Sequence, residues 1–295
     1  MKDYFEQSNR ALQLAGMSER TQESYTRAVR VLVDFYGKTP DQITEMELED
    51  YFLHCRNTNK WSAATLRIAY CGIKFFFINV LKREWHIFTY LKAKREQKLP
   101  CILSKEEVFC ILNHLTTFHN YAFHSTVYAC GLRISEAHAL QVSDIDGKRM
   151  MIHVHRGKGA KDRYVPLPEQ TYQLLRRYWV THRNPVFIFP ALGRGGNEGP
   201  TATTHMALDS AQGAFRKAKA ATGITKRRVS VHTLRHCYAT HLLEAGVNPR
   251  IIQRYMGHAN LETTMIYFHL TQKGTEDACK IINSTMKGFD NDFPK

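Results

Sequence analysis

The 295-residue sequence predicts a mainly α protein, with a helical N-terminal domain followed by a mostly helical α/β domain that carries a small β-hairpin sheet. Three observations predict it. Apolar residues recur at helical spacing from residue 18 to residue 81, with a capping signal ahead of each run. Only Met151–His155 and Tyr164–Leu167 read as strands, both short and close together. Hydrophobic residues at 43% suffice for a sizeable core in each of two domains.

Ser18 opens the first helix, and Tyr25, Val29, Leu32, Val33 and Tyr36 follow at i, i+4, i+7, i+8 and i+11 before Gly37 stops it. Arg20, Arg27 and Arg30 lie largely off that stripe. Thr44 and Glu47 form a capping box ahead of a helix that buries Leu48, Tyr51, Phe52 and Cys55. A third helix starts near Ser62 and carries Leu66, Tyr70, Ile73, Phe77 and Leu81. Leu91–Leu99, mostly polar and basic and followed by Pro100, reads as a linker, so the domains are expected at 1–99 and 100–295. Ser104 and Glu107 repeat the capping box in front of Val108, Ile111, Leu112 and Leu115. A helix through Tyr121–Cys130 ends at Gly131, and the basic turn Arg156–Arg163 joins the two strands. Further helices are predicted over 169–182, 204–222, 231–245, 248–256 and 260–269, with Asn248 and Pro249 as an N-cap and first-turn pair. Ala278, Ile281, Ile282 and Met286 predict a tail helix within Thr275–Met286.

Charge and cysteine usage narrow the function. The formal charge of +14 divides as 16 basic against 12 acidic residues in 1–99 and 25 against 15 thereafter. Both parts are positive, which favours one polyanionic partner. The seven cysteines include no C-x-x-C pair, which disfavours a disulfide framework or a cysteine zinc site and fits a reducing cytoplasm. The start of the chain has no secretory pattern, and the apolar cluster Phe75–Ile78 falls far short of the ~20 residues of a membrane span. No membrane partner is expected.

Five segments of the second domain belong together: Gly131-Leu-Arg133-Ile-Ser-Glu136, the turn with Lys158, His232-Thr-Leu-Arg235-His236, Met256-Gly-His258, and Tyr267. Their chemistry is coherent. Arginine offers a planar fork of donors that matches a phosphate and stays ionised. Two such forks, Arg133 and Arg235, can grip the non-bridging oxygens of a phosphodiester without a metal. A free phenol, with a pKa of about 10, is ionised in roughly one molecule per thousand at pH 7, so a tyrosine nucleophile needs positive charge and a proton acceptor nearby.

The set resembles the tyrosine recombinases, the phage-integrase and Xer-type site-specific DNA recombinases, over nearly the whole chain. HTLRHCYATHLLEAG, followed by MGH and a tyrosine nine residues on, is the most specific part. The resemblance implies that Arg133 and Arg235 hold the scissile phosphate and that Tyr267 attacks it, forming a 3′-phosphotyrosine. His232 would be the general base and His258 would donate a hydrogen bond to the phosphate. Lys158 would protonate the leaving 5′-hydroxyl, with Lys161 a close rival. Tyr255 is a weaker candidate nucleophile, because it precedes His258. Glu136 is expected to orient Arg133 or cap its helix. Met256 stands where the family often has Leu, and Phe268 where it often has a small hydroxyl residue.

The resemblance also implies double-stranded recombination sites as partners, a homo- or hetero-tetramer on DNA, and no cofactor. The two domains would close on the duplex as a clamp, with Lys92, Lys94, Arg95 and Lys98 tracking its backbone and Lys226-Arg227-Arg228 touching phosphates, so affinity should fall steeply with salt. The tail helix would dock on a neighbouring protomer or pack on its own domain. His232 and His236, four apart, have a spacing that zinc sites use, but no Glu lies between them as in H-E-x-x-H. Two rival functions stay open: a helix-turn-helix regulator built on 232–256, which cuts nothing, and a type IB topoisomerase-like relaxing enzyme.

Overall fold

The computed structural model describes residues 2–91, 99–155, 162–268 and 284, and divides into two compact units, Met1–Lys98 and Leu99–Lys295. The linker lysines and Arg95, Lys158 and Lys161, and, Ser284 aside, the tail helix with the four apolar residues that predict it lie outside the described residues.

The first unit consists of α1 (Lys2–Leu14), α2 (Glu19–Tyr36), α3 (Glu45–Asn57), α4 (Ala63–Asn79) and α5 (Ile87–Tyr90). Ser18, Thr44 and Ser62 each accept a backbone N–H three residues on, and Gly37 ends α2 in the left-handed conformation. Leu32, Leu48, Tyr51, Ile73, Phe76 and Phe77 form the centre of its core. Gly72 lets α4 approach α2 closely, since a Cβ there would stand 2.8 Å from Tyr25 Cα. Helix α1 has no counterpart in the sequence prediction. It buries only Ser8 and Leu12, a stripe too thin to signal a period.

In the second unit, α6 (Lys105–Asn113), α7 (Phe118–Ala129) and α8 (Ile134–His138) precede a three-stranded sheet of β1 (Ile145–Asp146), β2 (Met151–Val154) and β3 (Arg163–Pro166). The strands are antiparallel in the order β1-β2-β3, with Ile152 opposite Val165. Helices α9 (Glu169–Val180), α10 (Leu208–Ala221), α11 (Val231–Glu244), α12 (Pro249–Met256) and α13 (Glu262–Phe268) follow. Strand β1 is too short to carry a period in the sequence, and helix α8 is signalled there only by the cap that Glu136 provides. Helix α10 begins at Leu208 rather than 204, because His205 bridges Pro190 and Met206 N–H donates to Phe189 O. Ile111, Phe123, Ile152, Val165, Phe189, Phe215 and Leu234 meet in the core. Helix α11 runs through the interior, with Leu234, Cys237 and Ala239 fully buried. Among the described residues, no helix is long and apolar enough to cross a membrane.

Candidate active site

Three turns deliver the site. The first follows α7, where Gly131 takes φ +61 and the chain reverses into α8. Arg133 is the N-cap of α8, and its backbone N–H donates to Glu136 Oε2 at 2.8 Å. Glu136 therefore caps its own helix, and it also accepts from Arg133 Nη1 at 2.6 Å. The expectation that it orients Arg133 or caps the helix is met on both counts.

The second turn ends α12. Gly257 is left-handed at φ 60, which exposes the last carbonyls of the helix to side-chain donors. Three consecutive carbonyls receive three arginines. Tyr255 O accepts from Arg163 Nε at 2.7 Å, Met256 O from Arg235 Nη2, and Gly257 O from Arg133 Nη2 at 3.2 Å. Arg235 Nη1 also donates to Gly131 O at 2.5 Å, tying the two turns together. Arg163 holds Glu136 with both Nη atoms, at 2.8 and 2.7 Å. The Arg235 side chain is 2% exposed, Arg163 8% and Glu136 6%, whereas Arg133 at 21% reaches solvent. Burial favours a neutral Glu136, but the hydrogen bond and charge of Arg163 outweigh it and hold the carboxyl at about 2. Burial, then the charge of Arg133, lower Arg235 to about 10, which leaves it protonated at pH 7.

The third turn lifts α13, which places Tyr267 on Tyr238, Ala239, Ile252 and Met256. Its hydroxyl meets His236 Nδ1 at 2.7 Å. His232 lies edge-on to His236 at 4.5 Å between ring centroids, and His258 stacks on Tyr267 at 6.2 Å. His258 is held by Thr264, Nδ1 to Oγ1 at 2.9 Å. Burial pushes the Tyr267 phenol up to about 12, while Arg235 and Arg133 pull the other way. Burial, with neighbouring positive charge, lowers His258 to about 3 and His236 to about 4, and also lowers His232. His236 and His258 are thus neutral at pH 7, and a neutral His236 can accept a hydrogen bond from the phenol.

The structure thus brings Arg133, His232, Arg235, His258 and Tyr267 into one pocket. A cationic pocket holding one phenol and neutral imidazoles suits nucleophilic attack on a phosphodiester. Tyr255 takes no part through its side chain, which packs beside the Arg254 guanidinium. Lys226 of the basic run is engaged by Glu107 at 2.6 Å and Ile102 O at 3.0 Å, while Arg227 and Arg228 are exposed. Two contributors escaped the sequence reading. Arg163 closes the basic turn and could have been found from its place after Lys161. For His236 the sequence offers only its four-residue spacing from His232.

A model of the phage integrase family matches residues 101–273, more than half of the chain. The chain belongs to the phage integrase family. A second model, the N-terminal SAM-like domain of phage integrases, matches residues 4–87. As an integrase of the tyrosine recombinase type, the protein is an enzyme that cuts and rejoins DNA at specific sites. It is 37% identical over 260 residues to y4qK of Sinorhizobium fredii strain NGR234, an integrase/recombinase by name, covering 88% of this chain and 82% of that one. The XerA recombinase crystal structure shares 26% identity with this integrase at a TM-score of 0.52, over 94% of this chain and 96% of that one. A λ integrase dimer bound to a core site is similar in fold, with a TM-score of 0.72 at 15% identity, over 90% and 94% of the two chains. Within the integrase, 232–256 does form two helices around Gly246, but the first is interior and the second ends on the three arginines.

Proposed function

We propose that Tyr267 is the nucleophile of a strand exchange that runs through a 3′-phosphotyrosine and requires neither metal nor ATP. The observation that carries the reading is the Tyr267 hydroxyl on His236 Nδ1, in a pocket that also holds Arg133 and Arg235. A phenol near 12 is ionised in roughly one molecule per hundred thousand at pH 7, so its proton must leave during attack. In the resting arrangement Tyr267 keeps that proton and shares it in a hydrogen bond with His236 Nδ1, and His232, beside His236, serves as the base that takes it in the cleaving one. The Tyr267 oxygen bonds to phosphorus, the bond to the 5′-oxygen breaks, and Lys158 protonates that oxygen. Arg133, Arg235 and His258 bind the phosphate through donors beyond those that anchor them. A 5′-hydroxyl of a partner duplex then attacks the phosphotyrosine and releases Tyr267, which takes back a proton. One phosphodiester replaces another of similar energy, so no external energy source is needed. Two duplexes and four cuts require four protomers. The helical N-terminal unit supplies the second half of the grip on each duplex.

The test incubates the protein with sheared genomic DNA, denatures it, and recovers covalent adducts for mass spectrometry. One phosphotyrosine at residue 267, lost in Tyr267→Phe, is expected. A linkage on another side chain, or no adduct, overturns the reading. Exchange of ends between two marked duplexes carrying the recovered site separates recombination from relaxation.

A further inference from the structure

The small sheet carries a second cluster of chemistry-bearing side chains that strand exchange does not use. A cleft of about 760 Å³ opens beside Glu136 and is lined by Asp144, His153, His155 and Asp162. His153 lies on β2 and His155 just beyond its end. Val154 pairs with Arg163, so Asp162 falls across from His155. One ligand atom from each of His153, His155 and Asp162 lies within 4.8 Å of the other two. His153 Nε2 is 3.3 Å and His155 Nδ1 3.7 Å from the same oxygen, Asp162 Oδ2. Zinc bonds of ~2.0–2.2 Å at tetrahedral angles put donor atoms ~3.3–3.6 Å apart, close to the two distances to Asp162 Oδ2.

A buried group outside the trio supports the same reading. The Asp144 side chain is 5% exposed, and its Oδ1 lies 2.7 Å from His155 Nε2. Its Oδ2 accepts the Gln141 backbone N–H at 2.8 Å, which fixes the carboxylate. With Nε2–H donated to Asp144, the lone pair of His155 is on Nδ1, the atom turned toward Asp162. A carboxylate behind a histidine is the outer arrangement that orients metal-ligating imidazoles and raises their basicity. Tyr164 stacks on the His153 ring at 4.6 Å and 13° and holds it in place.

We propose that His153 Nε2, His155 Nδ1 and Asp162 bind a borderline divalent cation of the zinc class, with water completing the tetrahedron and Asp144 as the outer carboxylate. The ion ties the end of β2 to the start of β3. It binds apart from Tyr267 and takes no part in phosphoryl transfer.

Cobalt(II) is the probe. The full chain, without a polyhistidine tag and stripped by a chelator, is titrated with Co²⁺ and followed by visible absorption. One equivalent should bind with tetrahedral d–d bands that Zn²⁺ abolishes. His155→Gln and Asp162→Asn, both at exposed positions, should remove the bands, while Asp144→Asn should weaken affinity by ~10–100-fold and leave them in place. His236→Gln should bind like the parent, which excludes the His232–His236 pair as the site. Absence of the bands in the parent, or their survival in His155→Gln, overturns the proposal. Circular dichroism confirms that each variant is folded. Neither result bears on whether Tyr267 becomes esterified.

Discussion

Replacing Glu136 by Gln keeps its shape and removes its charge. The carboxylate is the counter-ion of Arg163 through two hydrogen bonds and of Arg133 through one, and it lies 3.8 Å from Arg235. Removing one partner of a buried ion pair costs ~3–5 kcal/mol, because the remaining charge is left uncompensated. The acidity of Glu136 supplies a second magnitude. Its carboxyl sits at about 2 in the folded protein against an ordinary 4.5, and at ~1.36 kcal/mol per pKa unit this is about 3 kcal/mol. A depressed folded pKa contributes stability that is complete above pH 4.5 and is lost as the pH falls through about 2. Glu136→Gln should therefore lower the Tm of the catalytic unit by ~6–20 °C at pH 7, at ~2–4 °C per kcal/mol for a domain of this size. The assay is scanning calorimetry of the full chain at pH 7 and at pH 3. At pH 3 the gap between the two proteins should shrink by about half, since the wild-type carboxylate has then lost much of its advantage. A shift below ~3 °C at pH 7, or a gap that does not narrow with acid, would refute the view that one carboxylate holds the arginines together.

Gly131→Ala should cost ~2–5 kcal/mol, because φ is +61 and the new Cβ would stand 2.3 Å from Tyr238 Cδ1; an unchanged urea midpoint would contradict the packing of the first turn. His236→Gln should slow adduct formation by about ten- to hundredfold and alter its pH profile while leaving DNA affinity intact, since it disturbs only the placement and proton of Tyr267. Loss of DNA binding in that variant would show that His236 has another task. Burial lowers His124 to about 4 from 6.5, so the folded protein holds it neutral while the unfolded chain takes up a proton. That stability is complete above pH 6.5 and is lost as the pH falls toward 4. His124→Phe, stacked on Phe215, should reduce the loss in unfolding free energy between pH 7.5 and pH 5 by about 2 kcal/mol; equal losses in the two proteins would show that His124 is not a source of acid sensitivity.

Local chemistry made most of the fold readable. Ser18, Thr44, Ser62 and Ser104 cap helices that the apolar spacing behind them continues, and Gly37 and Gly131 end runs because only a left-handed residue turns the chain there. The elements that the sequence does not signal are those too short or too thinly buried to show a period. β1 exists because Ile145 pairs with Ile152, and α1 because Leu12 has a core to enter.

The residue types proposed for the site, two arginines with histidines and one tyrosine, are legible in the sequence because the motifs that carry the family resemblance are local properties of the chain. What holds them was settled only by folding. The carbonyls of Tyr255, Met256 and Gly257 can anchor Arg163, Arg235 and Arg133 only once α12 ends against the turn after α7, and one carboxylate can serve three cations only where water is excluded. The pairing of Tyr267 with His236 likewise depends on α13 packing against α11. Hydrogen bonds and desolvation act between atoms close in space, and separations of 21 to 124 residues along the chain leave no trace of that closeness in a linear pattern.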